Sequence, residues 1–252
     1  KYNIIIQEIK KIKNSKILFL SYELRDLFYL ILIKTMSYKS VYLIEHNNIP
    51  DQNEKLIKKL IYLISNIFFK KIVLSLRAKK YLFSTYKCKS YYVPHPINYV
   101  TEYDETENMM FSPSGTTTNE DNKKFINRFK AKNTKIYIKS NTFKADGNDN
   151  IIVSSYFFNY DEILNKSKYI YIGGNGFALR ESGVLYEALA RRKIVVMENS
   201  PLYQEMCGKY NVVEVSSHNY DIEADITKHL RFVNEHSDKT VLEYYQKVFN
   251  DW

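Results

Sequence analysis

The sequence predicts an α/β protein made of two doubly wound, Rossmann-like lobes facing a cleft. Three observations point there. Short apolar runs alternate with helical stretches along most of the chain, a polar and acidic stretch over residues 97–108 divides that series in two, and charge is segregated between the halves. Short buried strands joined by helices form a parallel sheet covered on both faces, because each crossover lays a helix on the sheet. A chain of 252 residues is long enough for two ordinary cores.

Taken in order, residues 4–13 read as a short helix and 16–21 (KILFLS) as a buried strand. Residues 23–36 read as an apolar helix, 41–45 as a strand and 53–69 as a long helix. A strand at 72–75, a helix at 77–86 and a strand at 91–93 follow, ended by Pro94-His95-Pro96. Past the acidic stretch, strands are expected at 109–112, 135–139, 151–154, 169–172, 194–197 and 212–215. Helices are expected at about 120–130, 160–166, 183–191, 200–208 and 221–235. Residues 241–249 read as a closing helix whose aromatics, with Trp252, must pack on something. The expected division is a first Rossmann-like lobe at 1–97, a second at 98–235, and a segment at 236–252 packing across both, and the resemblance given below makes the first the acceptor side and the second the donor-binding side. The chain begins with Lys1 rather than Met, and an N-terminal piece is expected to precede it.

Composition sets limits on function. A 45% hydrophobic and 15% aromatic content suits a globular chain and excludes a disordered one. Cys88 and Cys207 lie far apart, in no metal-binding or CxxC spacing, so reduced thiols, a cytoplasmic setting and no metal or cofactor are expected. The longest apolar run, Leu27 to Ile33, is about a third of what a bilayer span needs. Residues 1–100 hold 18 Lys/Arg against 6 Asp/Glu, a net of +12, while the remainder holds 19 against 22, a net of −3. A basic half beside a near-neutral half suggests different partners for the two. Helix 53–69 carries Lys55, Lys58 and Lys59 together with a broad Leu/Ile/Phe face. It reads either as a core helix with a solvated basic edge or as a dock for an anionic membrane surface. Nucleic acid ranks below these, because no RNA- or DNA-binding motif accompanies the charge.

The most informative segment is 181–198. A turn with Ser182 and Gly183 opens a helix, Val184 follows, Glu187 sits one turn inside, and an apolar strand comes next. The free N–H groups and partial positive charge of a helix start suit a diphosphate, and Gly183 keeps no side chain between ligand and backbone. Gly183 and Glu187 share a helix face, where a carboxylate accepts hydrogen bonds from ribose hydroxyls. A capped surface helix with a solvated Glu is the plainer alternative. Residues 112–124 (SPSGTTTNEDNKK) offer Ser114, Gly115 and Thr116 as hydrogen-bond donors and Lys123 or Lys124 as charge, or else form a polar hairpin with solvated lysines. His46 ends a strand and precedes a loop; it reads as a cleft residue, paired with Glu45 or Asp51 if it acts as a base, or as a structural His.

The order of three segments resembles the GT-B glycosyltransferases, most of all glycosyltransferase family 4. These are residues 71–82 with Tyr92 to Ile97, residues 43–47 ending in His46-Asn47, and residues 169–197. The family pattern there has two glutamates eight apart; Glu187 fits the second, but Leu179 stands at the first position and Glu181 is the nearest acid. The family's diphosphate-holding Arg has no counterpart in 112–124. The resemblance implies a nucleotide-sugar donor with its ribose on Glu187 and its diphosphate on residues 182–184. It places Glu181 and His46 near the sugar, and the acceptor is a glycan or lipid-linked glycan of a surface polysaccharide. It further implies a retaining reaction and a location on the inner membrane face. Two alternatives remain: a relative that transfers a polyol phosphate or epimerises a nucleotide sugar, and a non-catalytic protein that binds a nucleotide or a partner.

Overall fold

The structure, a computed structural model, describes residues 16–23, 26–37, 40–46, 48–49, 55–98, 106–115, 117–129, 134–145, 147, 149–173, 179, 181–216 and 222–250. The chain divides into two compact units, one of Lys1–His95, Leu179–Glu181 and Val241–Trp252, the other of Pro96–Ala178 and Ser182–Thr240.

The first unit has a parallel sheet of β1 (Ile17–Phe19), β2 (Val41–Glu45), β3 (Lys70–Val73) and β4 (Ser90–Tyr92), in that spatial order. Every residue of β2 is buried, as a central parallel strand requires. Its side chains alternate. Val41 and Leu43 pack with Tyr22, Leu27, Leu30 and Phe69 on one face, the face of α1 (Leu27–Ser37) and α2 (Leu56–Phe68). Tyr42 and Ile44 pack on the other face with Ile72, Leu74 and Val93. That second face is closed by α9 (Asp238–Asn250), the closing helix expected from the sequence, through Val241 and Val248. α3 (Leu76–Tyr86) starts where Ser75 Oγ accepts from the Ala78 amide at 3.2 Å, and it stops at Lys87, which turns left-handed with φ 49°. The helix expected at 4–13 lies outside the described residues.

The second unit contains β5 (Glu107–Ser112), α4 (Asn119–Phe129), β6 (Lys135–Lys139), β7 (Ile151–Ser154), α5 (Tyr160–Lys166) and β8 (Ser167–Ile172). It continues through α6 (Gly183–Ala190), β9 (Ile194–Met197), α7 (Pro201–Met206), β10 (Val212–Glu214) and α8 (Ile226–His236). All pairings are parallel and the spatial order is β10-β9-β8-β5-β6-β7. This is the doubly wound order of a Rossmann sheet, which reverses direction between β5 and β8. β5 begins at Glu107, inside the stretch read as a linker. One face is covered by Leu185, Ala188 and Leu189 of α6 with Ile163, Leu202 and Phe232. The other is covered by Phe125, Ile126 and Phe129 of α4, and the Phe125 ring stacks on Tyr171 at 4.4 Å. Both faces being buried, the crevice outside the carboxyl ends of β5 and β8 is where a sheet of this order leaves room for a ligand.

Candidate donor site at the switch point

Two turns meet at that crevice. Gly173 follows β8, and a Cβ built on it would stand 3.2 Å from Thr117 Cγ2 and 3.3 Å from Asp121 Oδ2. The two turns therefore touch closely enough that a methyl group would crowd them. Thr118 and Asp121 form a reciprocal cap on α4: the Thr118 amide donates to Asp121 Oδ2 at 3.2 Å, and the Asp121 amide donates to Thr118 Oγ1 at 3.1 Å. Behind this cap are buried polar groups. Asn122 Oδ1 accepts from Ser112 Oγ at 3.4 Å, while Asn122 Nδ2 and Thr117 Oγ1 have no hydrogen-bond partner among the described residues. The buried Tyr171 hydroxyl lies beside the Asp121 and Glu198 carboxylates; burial first, and then these charges, push its pKa up.

The residues proposed for the β5–α4 turn fare differently. Ser114 is half-buried and Gly115 is exposed with open space around it, while Thr116 lies outside the described residues. The first turn of α4 carries Glu120 and Asp121, which already answer the helix dipole and would repel a phosphate. Lys124 pairs with Glu120 at 3.4 Å in solvent. Lys123 lines a separate hollow of ≈ 500 Å³ with Asn119, Asn127, Thr142 and Lys144.

The start of α6 is the opposite case. Ser182 is the N-cap, its Oγ accepting from the Leu185 amide at 3.3 Å and its carbonyl from Leu185 and Tyr186. Its oxygens are thus committed to the helix. The Gly183 and Val184 amides have no partner among the described residues, no acid lies in the first turn, and a Cβ on Gly183 would meet nothing within 4 Å. Val184 packs its side chain on the core, leaving only its backbone for a ligand. Glu187 is held from both sides. Tyr160 donates to Oε2 at 3.2 Å, and Arg191 Nη2 meets Oε1 at 3.1 Å while also binding Asp161 at 2.8 Å. The Tyr160 pKa is raised by burial and then by the Glu187 charge. A carboxylate has about four acceptor sites, so Glu187, 35% exposed, keeps capacity for further hydroxyls.

Glu181 groups with the first unit, where its carboxylate meets Arg77 Nη2 of α3 at 2.8 Å and is nearly buried. His46 stands half-buried at the carboxyl end of β2. Its proposed partner Glu45 points into the core instead, because neighbouring strand residues face opposite ways; Lys71 meets Glu45 Oε1 at 2.7 Å and Tyr22 donates to the same oxygen at 2.6 Å. Asp51 and His218 lie outside the described residues. His229 Nδ1 is tied to the Leu189 carbonyl at 3.1 Å, and His236 stacks on Phe232. Among the described residues no group of three His, Cys, Asp or Glu side chains is placed to hold a metal.

Sequence reasoning missed Tyr160, Arg191, Thr117, Asn122 and Gly173. Arg191 carried a signal, standing four residues after Glu187. The others meet only through the sheet order.

The sequence matches no protein-family profile and no curated protein. Solved structures do resemble it. A glycosyltransferase from Rickettsia africae ESF-5 aligns with a TM-score of 0.68 at 13% identity, covering 100% of this chain and 81% of that one. HepE of Anabaena, solved with UDP and glucose, aligns with a TM-score of 0.76 at 7% identity, again covering 100% and 81%. The GtfA/B complex gives 0.58 at 11%, covering 99% and 57%. Identities this low speak for architecture, and the chain has the two-lobed, Rossmann-like GT-B fold.

Proposed function

We propose that the chain is a glycosyltransferase that uses a nucleotide-activated sugar. The observation that carries this reading is the start of α6: two amides without a partner among the described residues, open space before Gly183, no acid in the first turn, and a pre-oriented Glu187 carboxylate one turn on. Amides and helix dipole suit a diphosphate, and the carboxylate suits ribose hydroxyls. The fold shared with proteins solved with UDP supports a nucleoside diphosphate as the leaving group. Thr117 and Asn122 supply further buried donors at the same crevice.

In this reading the bond from the sugar's anomeric carbon to the phosphate oxygen breaks, and the acceptor oxygen bonds to that carbon. The acceptor's proton passes to the leaving phosphate, so configuration is retained without a dedicated protein base. The α6 amides stabilise the developing charge on the diphosphate. Glu181, bonded to Arg77, acts by positioning the segment that leads into α6. His46 is kept as the candidate catalytic residue of the first unit, at the carboxyl end of β2. The acceptor is a glycan or lipid-linked glycan of a surface polysaccharide. The reading requires no metal, so EDTA should leave turnover unchanged.

A binding-only reading draws on one observation, the two acids in the first turn of α4. Incubating the chain with a panel of nucleotide sugars and an acceptor extract separates these. Release of nucleoside diphosphate with a glycosylated product, abolished in Glu187→Ala, supports the transferase. Tight donor binding without release selects the binding-only reading, and a phosphopolyol product or an epimerised donor selects a different chemistry.

A further inference from the structure

His46 is flanked by two residues tied to the same neighbour. Before it, Glu45 ends β2, and its Oε1 accepts from the Tyr22 hydroxyl at 2.6 Å and meets Lys71 Nζ at 2.7 Å. After it, Asn48 Nδ2 donates to the Tyr22 carbonyl at 2.6 Å. Tyr22 thus holds the chain on both sides of His46, with its hydroxyl on one and its carbonyl on the other. Lys71 Nζ completes the cluster, donating to the Tyr22 hydroxyl at 3.3 Å and lying 4.6 Å from the centre of the Tyr62 ring. Among the described residues no hydrogen bond or ion pair engages the half-buried His46 ring, so its orientation comes from the chain that carries it.

Stability does not account for this cluster. The Glu45 and Lys71 side chains are fully buried, and Glu45 Oε2 and the Tyr62 hydroxyl have no hydrogen-bond partner among the described residues. Taking an ion pair out of water costs about as much as its attraction gains, and each orphaned polar atom adds to that cost. Aliphatic side chains of similar volume would fill the space as stably. They would not fix direction, because apolar contact is non-directional whereas a hydrogen bond holds along its axis. Burial first, and then the Glu45 charge, push the Tyr22 pKa well above its ordinary value, so the hydroxyl stays protonated and keeps donating.

We propose that Tyr22, Glu45, Lys71 and Asn48 are positioning residues that set the direction of the His46 ring for sugar transfer. This rests on the transferase reading, but on none of the residues at the start of α6.

Ring-nitrogen spectra of the full chain labelled with 15N-histidine test it, His46 being assigned through His46→Gln. The parent should show one sharp set of His46 signals. Tyr22→Phe and Asn48→Ala should each broaden or double that set, leaving those of His229 and His236 in place. In turnover each should lower kcat about ten-fold with the donor KM held within about two-fold, since a misplaced group loses rate before binding. In a His46→Ala background the same substitutions should change kcat by less than about two-fold, because an absent ring cannot be misplaced. Glu45→Leu/Lys71→Met should melt with the parent and still show the kcat loss; if it does not fold, the two single variants decide. Losses that multiply in the His46→Ala background overturn the proposal by making the cluster structural only. Unchanged His46 signals in both single variants overturn it as well. Normal turnover in His46→Ala overturns it while leaving the transferase reading intact. Absence of nucleotide affinity and turnover in the parent sinks the transferase reading, and an ordered His46 ring loosened by either substitution then still upholds the tether.

Discussion

Tyr160 donates its hydroxyl to Glu187 Oε2 at 3.2 Å, joining the start of α5 to the α6 carboxylate that the donor reading assigns to the ribose. The bond fixes one oxygen while Arg191 fixes the other, so the carboxylate meets a ligand without first having to be ordered. Removing the phenol in Tyr160→Phe should weaken nucleotide binding about three- to ten-fold, the worth of one hydrogen bond. The melting temperature should change little. Titration calorimetry reads the first and thermal melting the second; unchanged affinity would remove Glu187 from the site.

Gly173 is the point where the two turns of the crevice touch. Gly173→Ala forces Thr117 or Asp121 to move by a few tenths of an ångström and should cost about 1–2 kcal/mol in urea unfolding. Thr117→Ser, which deletes the Cγ2 atom at 3.2 Å, should recover part of that cost in the double variant. If alanine is neutral, the turns are not in contact as described.

The Glu45–Lys71 pair is fully buried, with both side chains at 0% exposure. Breaking it by Lys71→Met leaves a buried carboxylate and should cost about 3–5 kcal/mol. Glu45→Leu added to Lys71→Met should restore most of the loss, because the pair's attraction is offset by its desolvation. A double-mutant cycle by urea unfolding checks this, and strictly additive losses would contradict it.

His229 makes stability depend on pH. Burial lowers its pKa below the ordinary 6.5, its hydrogen bond to the Leu189 carbonyl opposing this more weakly. The unfolded chain thus binds a proton more readily than the folded one. His229's contribution is complete above about pH 6.5 and is lost as pH falls through the lower, folded value. The urea midpoint should therefore fall between pH 7 and pH 5, and the fall should be smaller in His229→Gln, which keeps a donor for the carbonyl. An identical slope in the two chains would remove His229 from the effect.

Much of the architecture was legible because parallel strands bury both faces. Runs such as Val41–Glu45 and Ile194–Met197 have to be apolar, and the helices between them have to alternate with them. The start of α6 was legible too, since Ser182, Gly183 and the absence of early acids are local features. What the linear reading could not supply was direction. The aliphatic stripe of α2 has the same periodicity whether it faces core or solvent, and only the burial of Tyr62 and Ser65 decides the matter. Glu45 was misdirected for a related reason: its partner, Lys71, lies far along the chain and reaches it only through the fold. Thr117, Asn122 and Gly173 meet because β5 and β8 are adjacent in the sheet, a neighbourhood that no local pattern announces.

The most direct trial of the account is calorimetric titration of the full chain and of Glu187→Ala with a panel of nucleoside diphosphates, UDP first. The account predicts measurable affinity for at least one of them, reduced at least about ten-fold by the substitution at an unchanged melting temperature. Equal affinity in the two chains, or none for any nucleoside diphosphate in the parent, would contradict it.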